Sequence, residues 1–243
     1  DWRGSGPATA YNAADRAERV LPRPPHRQPL PLQPLVADPR TVCGSEVGTL
    51  IDLGGGAACL ALHVKMNTID QRMVDLLNQT LELVAGGFAG LVIASDGPLF
   101  SAGADLKRFL ADIRAGRFQE IDRFIAGLQA AFGALARAPF PSVACPHGLT
   151  LGGGCEFSLH TTRQLLAGET YAGLVEPAVG LLPAGGGTTS LALRAYAPAQ
   201  RVPGVDPLPF LRQAFQLICS SRRSGSGLEA IEMGLYPESA SVT

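Results

Sequence analysis

Lysine is almost missing from this chain. Its 243 residues include 18 arginines but only two lysines, Lys65 and Lys107, and charged residues of both signs make up just 17%. The formal net charge is -1, so there is no electrostatic footprint for nucleic acid. Long apolar runs are missing too. The longest, Leu83 to Ala94, is broken by three glycines and is too short to span a bilayer. No succession of basic, apolar and small residues marks a signal peptide at the start. An initiator Met is absent, as expected of a fragment or a processed chain. The five cysteines are odd in number and form no C-x-x-C pair, which fits reduced thiols in a cytoplasmic compartment. No two Cys or His residues have ligand spacing, which argues against zinc. Burial as small apolar groups is a commoner fate for such cysteines than nucleophilic catalysis.

What the chain does have is apolar mass, 46% of its residues. A chain of this length buries roughly 70–75% of its unfolded surface and needs no disulfide or metal staple. Proline is uneven. Residues 1–48 hold eight of the 19 prolines. Proline neither continues a helix nor donates to a central ladder, so this segment reads as an extended, poorly ordered linker or arm, with the globular part at 49–243. Within that part strands and helices alternate. Leu50–Leu53 and Ala58–Val64 read as strands joined by a Gly54-Gly55-Gly56 turn, and 69–84 has a helical period. Short strands at 91–94, 142–145 and 163–167 and helices at 106–113, 118–137, 153–160, 188–195, 209–220 and 228–233 follow. The segment 197–207, with Pro198, Pro203 and Pro207, reads as a loop. The class is α/β with mostly parallel pairing.

Three glycine clusters, at 54–56, 152–154 and 185–187, invite a nucleotide-binding reading, and none supports it. G-x-G-x-x-G fails at its third glycine, where Cys59, Phe157 and Ser190 stand, and the lysine of a phosphate loop is missing. Gly54–Gly56 is a turn. Leu151-Gly152-Gly153-Gly154-Cys155-Glu156 lies between a strand and a helix. Its glycines allow close backbone approach to a ligand, and the helix start offers free N–H groups that can hold an oxyanion. Taken alone, it is also what a helix cap looks like. The stretch 100–107 is of the same kind, with Asp105 able to serve merely as an N-cap. Glu176 stands between apolar residues, where burial would raise its pKa and make it an acid near neutral pH, or where it is a solvated loop residue.

Together these segments form an ordered set. F-S-A-G-A-D-L at 100–106, P-S-V-A-x-x-x-G-x-x-L-G-G-G-C-E at 141–156 and G-L-V-E-x-x-V-G-L-L-P-A-G-G-G-T at 173–188 resemble the crotonase (enoyl-CoA hydratase/isomerase) superfamily in order and spacing, over roughly residues 49–238. Within it the chain is most similar to the hydratase part of bifunctional 3-hydroxyacyl-CoA dehydrogenase/enoyl-CoA hydratase proteins. The resemblance implies a crotonase-like spiral of ββα repeats with flanking helices, assembled as a trimer or dimer of trimers. It implies an oxyanion hole from the N–H groups of Ala104 and Gly153 and two catalytic carboxyls, Glu156 orienting and deprotonating water and Glu176 protonating C2. Isomerases of the family usually keep one such carboxyl, so the pair favours hydration of 2-enoyl-CoA, a step of fatty acid β-oxidation. CoA contacts are implied at Lys65, Met66, Asn67, Ala102, Asp105, Lys107 and Gly152. No cofactor is required, coenzyme A arriving as the substrate's thioester, and a dehydrogenase region of the same native polypeptide is an expected partner. Alternatives are isomerisation or another acyl-CoA reaction on this fold, or an acyl-CoA-binding module without catalysis.

Four features depart from the family pattern. Pro177 directly follows Glu176 and biases it toward extended backbone. Thr161-Thr162-Arg163 stands where an Asp is common. The 197–207 loop is rich in proline. The chain stops where relatives continue into C-terminal helices, so 49–243 is expected to be a C-terminally truncated domain.

Overall fold

The computed structural model describes residues 9–12, 17–20, 31–32 and 40–243; the rest of the proline-rich arm lies outside the described residues. The chain divides into two units, 1–31 and 32–243. In the first, β1 (Thr9–Asn12) and β2 (Ala17–Val20) pair antiparallel, with Thr9 opposite Val20.

The second unit opens with a meander of β3 (Thr41–Gly44), β4 (Gly48–Gly54) and β5 (Ala57–Leu62). The β4–β5 turn uses Gly54, Gly55 and Gly56, all at positive φ, which glycine adopts without a Cβ penalty. Helix α1 (Gln71–Gly87) starts where Asp70 accepts hydrogen bonds from the N–H groups of Arg72 and Met73. Its residues Met73, Leu76, Leu77, Thr80 and Val84 recur at helical spacing and are buried. Then come β6 (Gly90–Ala94), α2 (Leu106–Arg114) and α3 (Phe118–Ala136). β7 (Ser142–Ala144), β8 (Gly148–Leu151) and α4 (Gly153–Leu159) precede β9 (Arg163–Leu166) and β10 (Thr170–Gly173). Helices α5 (Gly187–Arg201), α6 (Leu208–Cys219) and α7 (Gly227–Glu232) and strand β11 (Ser241–Val242) complete it.

Seven strands form one sheet in the order β11-β9-β7-β6-β5-β4-β3, antiparallel through β3, β4 and β5 and parallel elsewhere. A smaller layer pairs β8 with β10 in parallel and is extended by parallel bridges from Thr150 to Ser101 and from Ala104 to Ile69. Successive extended segments therefore alternate between layers, β6 then Ser101, β7 then β8, β9 then β10, with helices closing each turn. This is a spiral of ββα repeats. In β5 the pleat sends Ala58, Leu60 and Leu62 to a core under α1 and α3, while Cys59 and Ala61 meet Ile51 and Leu32 on the other face. A second core holds Cys155, Leu174, Leu191 and Tyr236 among α4, α5 and α7.

The structure departs from the sequence reading in several places. Thr41–Gly44 joins the sheet and Val47 is fully buried, both ahead of the boundary at 48/49. β8 and β10 occupy stretches to which the sequence reading assigns no strand; they are four residues each, and their pairing is long-range. The loop expected at 197–207 is helical as far as Arg201. Pro198 has no N–H for the carbonyl of Arg194, but it lies on the exposed face of α5, where water can serve that carbonyl, and its own carbonyl accepts from Val202 N–H at 3.1 Å.

One contact ties the two layers to α4. A Cβ on Gly154 would sit 2.5 Å from Ser101 Cβ and 2.8 Å from its carbonyl oxygen. Gly154→Ala should therefore overpack this junction and cost roughly 1–3 kcal/mol. Urea unfolding should show a lower midpoint at unchanged m-value; an unchanged midpoint would disprove the tight fit.

Candidate active site

The segments 101–104 and 151–154 meet backbone to backbone. Ser101 N–H donates to Leu149 O at 3.1 Å, and Leu151 N–H donates to Ser101 O at 2.9 Å. Gly103, at φ 87°, lies so close that a Cβ there would be 2.7 Å from Leu151 O and 3.1 Å from Gly153 N. The Ser101 hydroxyl donates to Asn67 O at 2.6 Å and accepts from Gly103 N–H at 3.1 Å, which fixes the turn. Ala104 N stands 3.6 Å from where a Gly153 Cβ would be. Neither the Ala104 nor the Gly153 N–H donates to a protein acceptor among the described residues; Gly153 is the first residue of α4, where intrahelical partners do not exist. Two free donors thus converge on one wall of a cavity of about 420 Å³.

Both expected carboxyls line that cavity. Glu156, in the first turn of α4, is only 2% exposed. Its Oε1 accepts from Gly187 N–H at 2.8 Å at the start of α5. Cβ atoms on Gly185 and Gly187 would lie 2.6 Å from Glu156 Oε2 and 3.0 Å from its Cγ, so only glycine lets this turn wrap the carboxyl. Burial, then the charge of Glu176, raises the Glu156 pKa to about 7, against the N–H groups of Gly187, Gly185 and Gly186, which lower it. Glu176 is also raised to about 7, chiefly by burial. Its carboxyl lies over Gly152, where a Cβ would be 3.0 Å from Oε1, and its buried Oε2 has no hydrogen-bond partner among the described residues. Gly152 has φ 52° and ψ -126°, a conformation that strongly favours glycine.

Pro177 does not leave Glu176 extended. Residues Glu176–Val179 form a 3-10 turn with the proline in its first positions, where an N–H has no intrahelical acceptor anyway. In place of the common Asp, the Thr161 hydroxyl donates to Ser158 O at 2.7 Å and Gln164 Nε2 bonds the same carbonyl at 3.0 Å, closing the end of α4.

The other expected residues are spread wider. Ala102 and Gly152 line the same cavity as the carboxyls. Lys65, Met66 and Asn67 line a neighbouring cavity of about 260 Å³ with residues 95–99, and the two sites touch where Ala102 N–H donates to Met66 O at 3.0 Å. Met66 and Asn67 have φ of 60° and 45°, left-handed backbone for non-glycine residues. The Asn67 side chain is buried, its Nδ2 within 2.9–3.2 Å of Ser95 Oγ, Leu99 O and Phe100 O, which offsets that strain. These bonds hold the segment. Asp105 caps α2 by accepting from Lys107 and Arg108 N–H. Lys65 and Lys107 are exposed, and Lys107 lines neither cavity. The sequence reading left the grip of Gly185–Gly187 on Glu156 unassigned. Its signal was three glycines and a threonine directly ahead of a helix. Among the described residues no group of three or more His, Cys, Asp or Glu side chains could hold a metal ion, and no helix is long and apolar enough to cross a membrane.

Comparison with known proteins agrees with this geometry. The enoyl-CoA hydratase/isomerase family model matches residues 56–196. A probable 3-hydroxyacyl-CoA dehydrogenase of Bacillus subtilis is 34% identical over 212 residues, 87% of this chain and 26% of that protein. The fatty acid oxidation complex subunit alpha of Psychrobacter cryohalolentis is 28% identical over 77% of this chain and 24% of its own length. The chain thus spans about a quarter of these curated relatives. The crystal structure of an enoyl-CoA hydratase from Bacillus anthracis superposes with a TM-score of 0.64 at 25% identity, covering 81% of this chain and 69% of that one. With the family model matched over more than half its length, the chain belongs to the enoyl-CoA hydratase/isomerase family, the crotonase superfamily.

Proposed function

We propose that this chain hydrates 2-enoyl-CoA thioesters to 3-hydroxyacyl-CoA. The observation that carries the reading is one cavity holding two carboxyls, each with its pKa raised to about 7, opposite two unengaged backbone N–H groups. Two carboxyls that repel each other near neutral pH favour the state in which one is ionised and the other protonated. Adding water across a double bond needs that state. Glu156 as carboxylate takes a proton from water as its oxygen bonds to C3. The thioester oxygen gains negative charge, to which the Ala104 and Gly153 N–H groups donate hydrogen bonds; such donors are worth roughly 3–4 kcal/mol each. Glu176 as the acid delivers its proton to C2. The site resets when the proton now on Glu156 is replaced by one on Glu176.

The CoA part is assigned to the cavity beside Lys65 and Met66, with Asn67 and Asp105 holding backbone and the two lysines meeting phosphates. The product is the substrate class of the enzyme named for the Bacillus subtilis relative, which supports a native polypeptide carrying a dehydrogenase region and a place in fatty acid β-oxidation. Assembly as a trimer or dimer of trimers and a cytoplasmic location rest on the family resemblance.

The test is loss of the conjugated thioester absorbance when crotonyl-CoA is added. Glu156→Gln and Glu176→Gln should each lower kcat by about 10²–10⁴-fold; wild-type rates in both would refute the roles. The pH profile of kcat/KM should be a bell centred near 7, and a profile flat from pH 5 to 9 would refute the coupled pair.

Stability carries its own signature. Both folded-state pKa values lie above those of an unfolded chain, so between about pH 4.5 and 7 the folded state binds more protons. Stability is then highest below that window and falls as pH rises through it. Glu176→Gln, which removes the ionisation, should stabilise the protein by roughly 1–3 kcal/mol at pH 8 and by almost nothing below about pH 4, read by denaturant midpoints at both.

A further inference from the structure

An aromatic pair stands between the cavity of the carboxyls and a second one. Phe109 of α2 and Phe124 of α3 pack edge to face, centroids 5.7 Å apart and planes at 76°. With Ile69 they line the cavity that holds the carboxyls, and the same three side chains line a second cavity of about 250 Å³ behind them. The two cavities differ in character. On the active side the pair is continued by Leu106, Ile125, Leu128 and Leu182. Behind it stand Asp70, Arg108, Asp112, Glu120 and Arg123.

The pair is held in place from its charged side. Asp112, only 5% exposed, accepts from Arg108 Nε at 2.9 Å and from Arg117 Nη2 at 2.6 Å, and Glu120 lies 3.7 Å and 3.5 Å from the same two arginines. These ion pairs pin the corner between α2 and α3 and hold Phe109 against Phe124. Phe124 also packs against the main core, so the ring cannot swing away without opening it.

We propose that the Phe109–Phe124 pair is the specificity-determining partition of this site, ending the acyl-chain channel and confining the enzyme to short chains. The inference rests on the hydratase reading for its substrate class. A chain end that reaches the rings stops there. Passing them would put methylenes beside an ionised network instead of apolar walls, which forfeits the gain of burial. Removing one ring should therefore admit the one or two further methylenes that fill the ring's own space, and no more.

The experiment measures kcat/KM along a series of crotonyl, hexenoyl, octenoyl, decenoyl and dodecenoyl thioesters of CoA. In the wild type it should fall steadily beyond hexenoyl. In Phe124→Ala the ratio of octenoyl to crotonyl should rise by about fourfold per methylene admitted, the equivalent of roughly 0.8 kcal/mol per CH₂, with no further gain at decenoyl or dodecenoyl. Phe109→Trp, which thickens the partition and keeps the helix pair, should shift the decline toward shorter chains, and it answers the question should Phe124→Ala fail to fold. Identical chain-length profiles in wild type and every folded variant would overturn the partition while leaving hydration intact. Calorimetric binding of the matching saturated acyl-CoAs separates the two readings. An affinity cut-off that moves with the substitutions, without any hydration, would overturn the hydratase reading and keep the partition.

Discussion

The site exists because two stretches of backbone touch with no side chains between them. Gly103 against Leu151 O and Gly154 against Ser101 bring the loop after β6 onto the start of α4, within the smaller layer of the spiral. A methyl group at either glycine would push the segments apart, and the N–H groups of Ala104 and Gly153 would no longer face one point. The Ser101 hydroxyl bridges the same junction by bonding both the 67 carbonyl and the 103 amide. The backbone of this junction is fixed by the fold before any ligand arrives.

The carboxyls represent the opposite use of burial. A stable core would not choose two acids facing one cavity, one with an oxygen that has no hydrogen-bond partner among the described residues. Their environment resists ionisation, and the same resistance raises both acidities to about 7. What the folded state loses in stability at neutral pH appears as two carboxyls of matched acidity.

Much of this was legible in the sequence, for identifiable reasons. α1 announced itself by apolar residues at helical spacing, and the β4–β5 hairpin by three glycines between apolar runs. Glu156 stands out because three glycines precede it and Glu176 because apolar residues flank it, and Gly152, Gly185 and Gly187 lie against those carboxyls directly. What stayed hidden depends on contacts distant in sequence. β8 and β10 are too short to carry a pattern and exist by pairing with each other. Helix α5 runs through Pro198 because that face is wet. Glu176 enters a 3-10 turn because Pro177 suits a first turn better than the extended backbone its neighbour would prefer locally. The Phe109–Phe124 contact joins two helices whose angle no local pattern encodes.

Glu156 is gripped by the first turn of α5, and α5 belongs to the second core with Leu174, Leu191 and Tyr236. The acidity of a group on α4 is therefore set partly by how firmly a different helix is seated. If α5 shifts outward by a fraction of an ångström, the Gly185–Gly187 amides loosen and the carboxyl holds its proton to higher pH. Loose packing around α5 and its neighbours would then surface as an alkaline displacement of the Glu156 titration. One helix of the second core thus acts as a tuning element for a carboxyl carried by another.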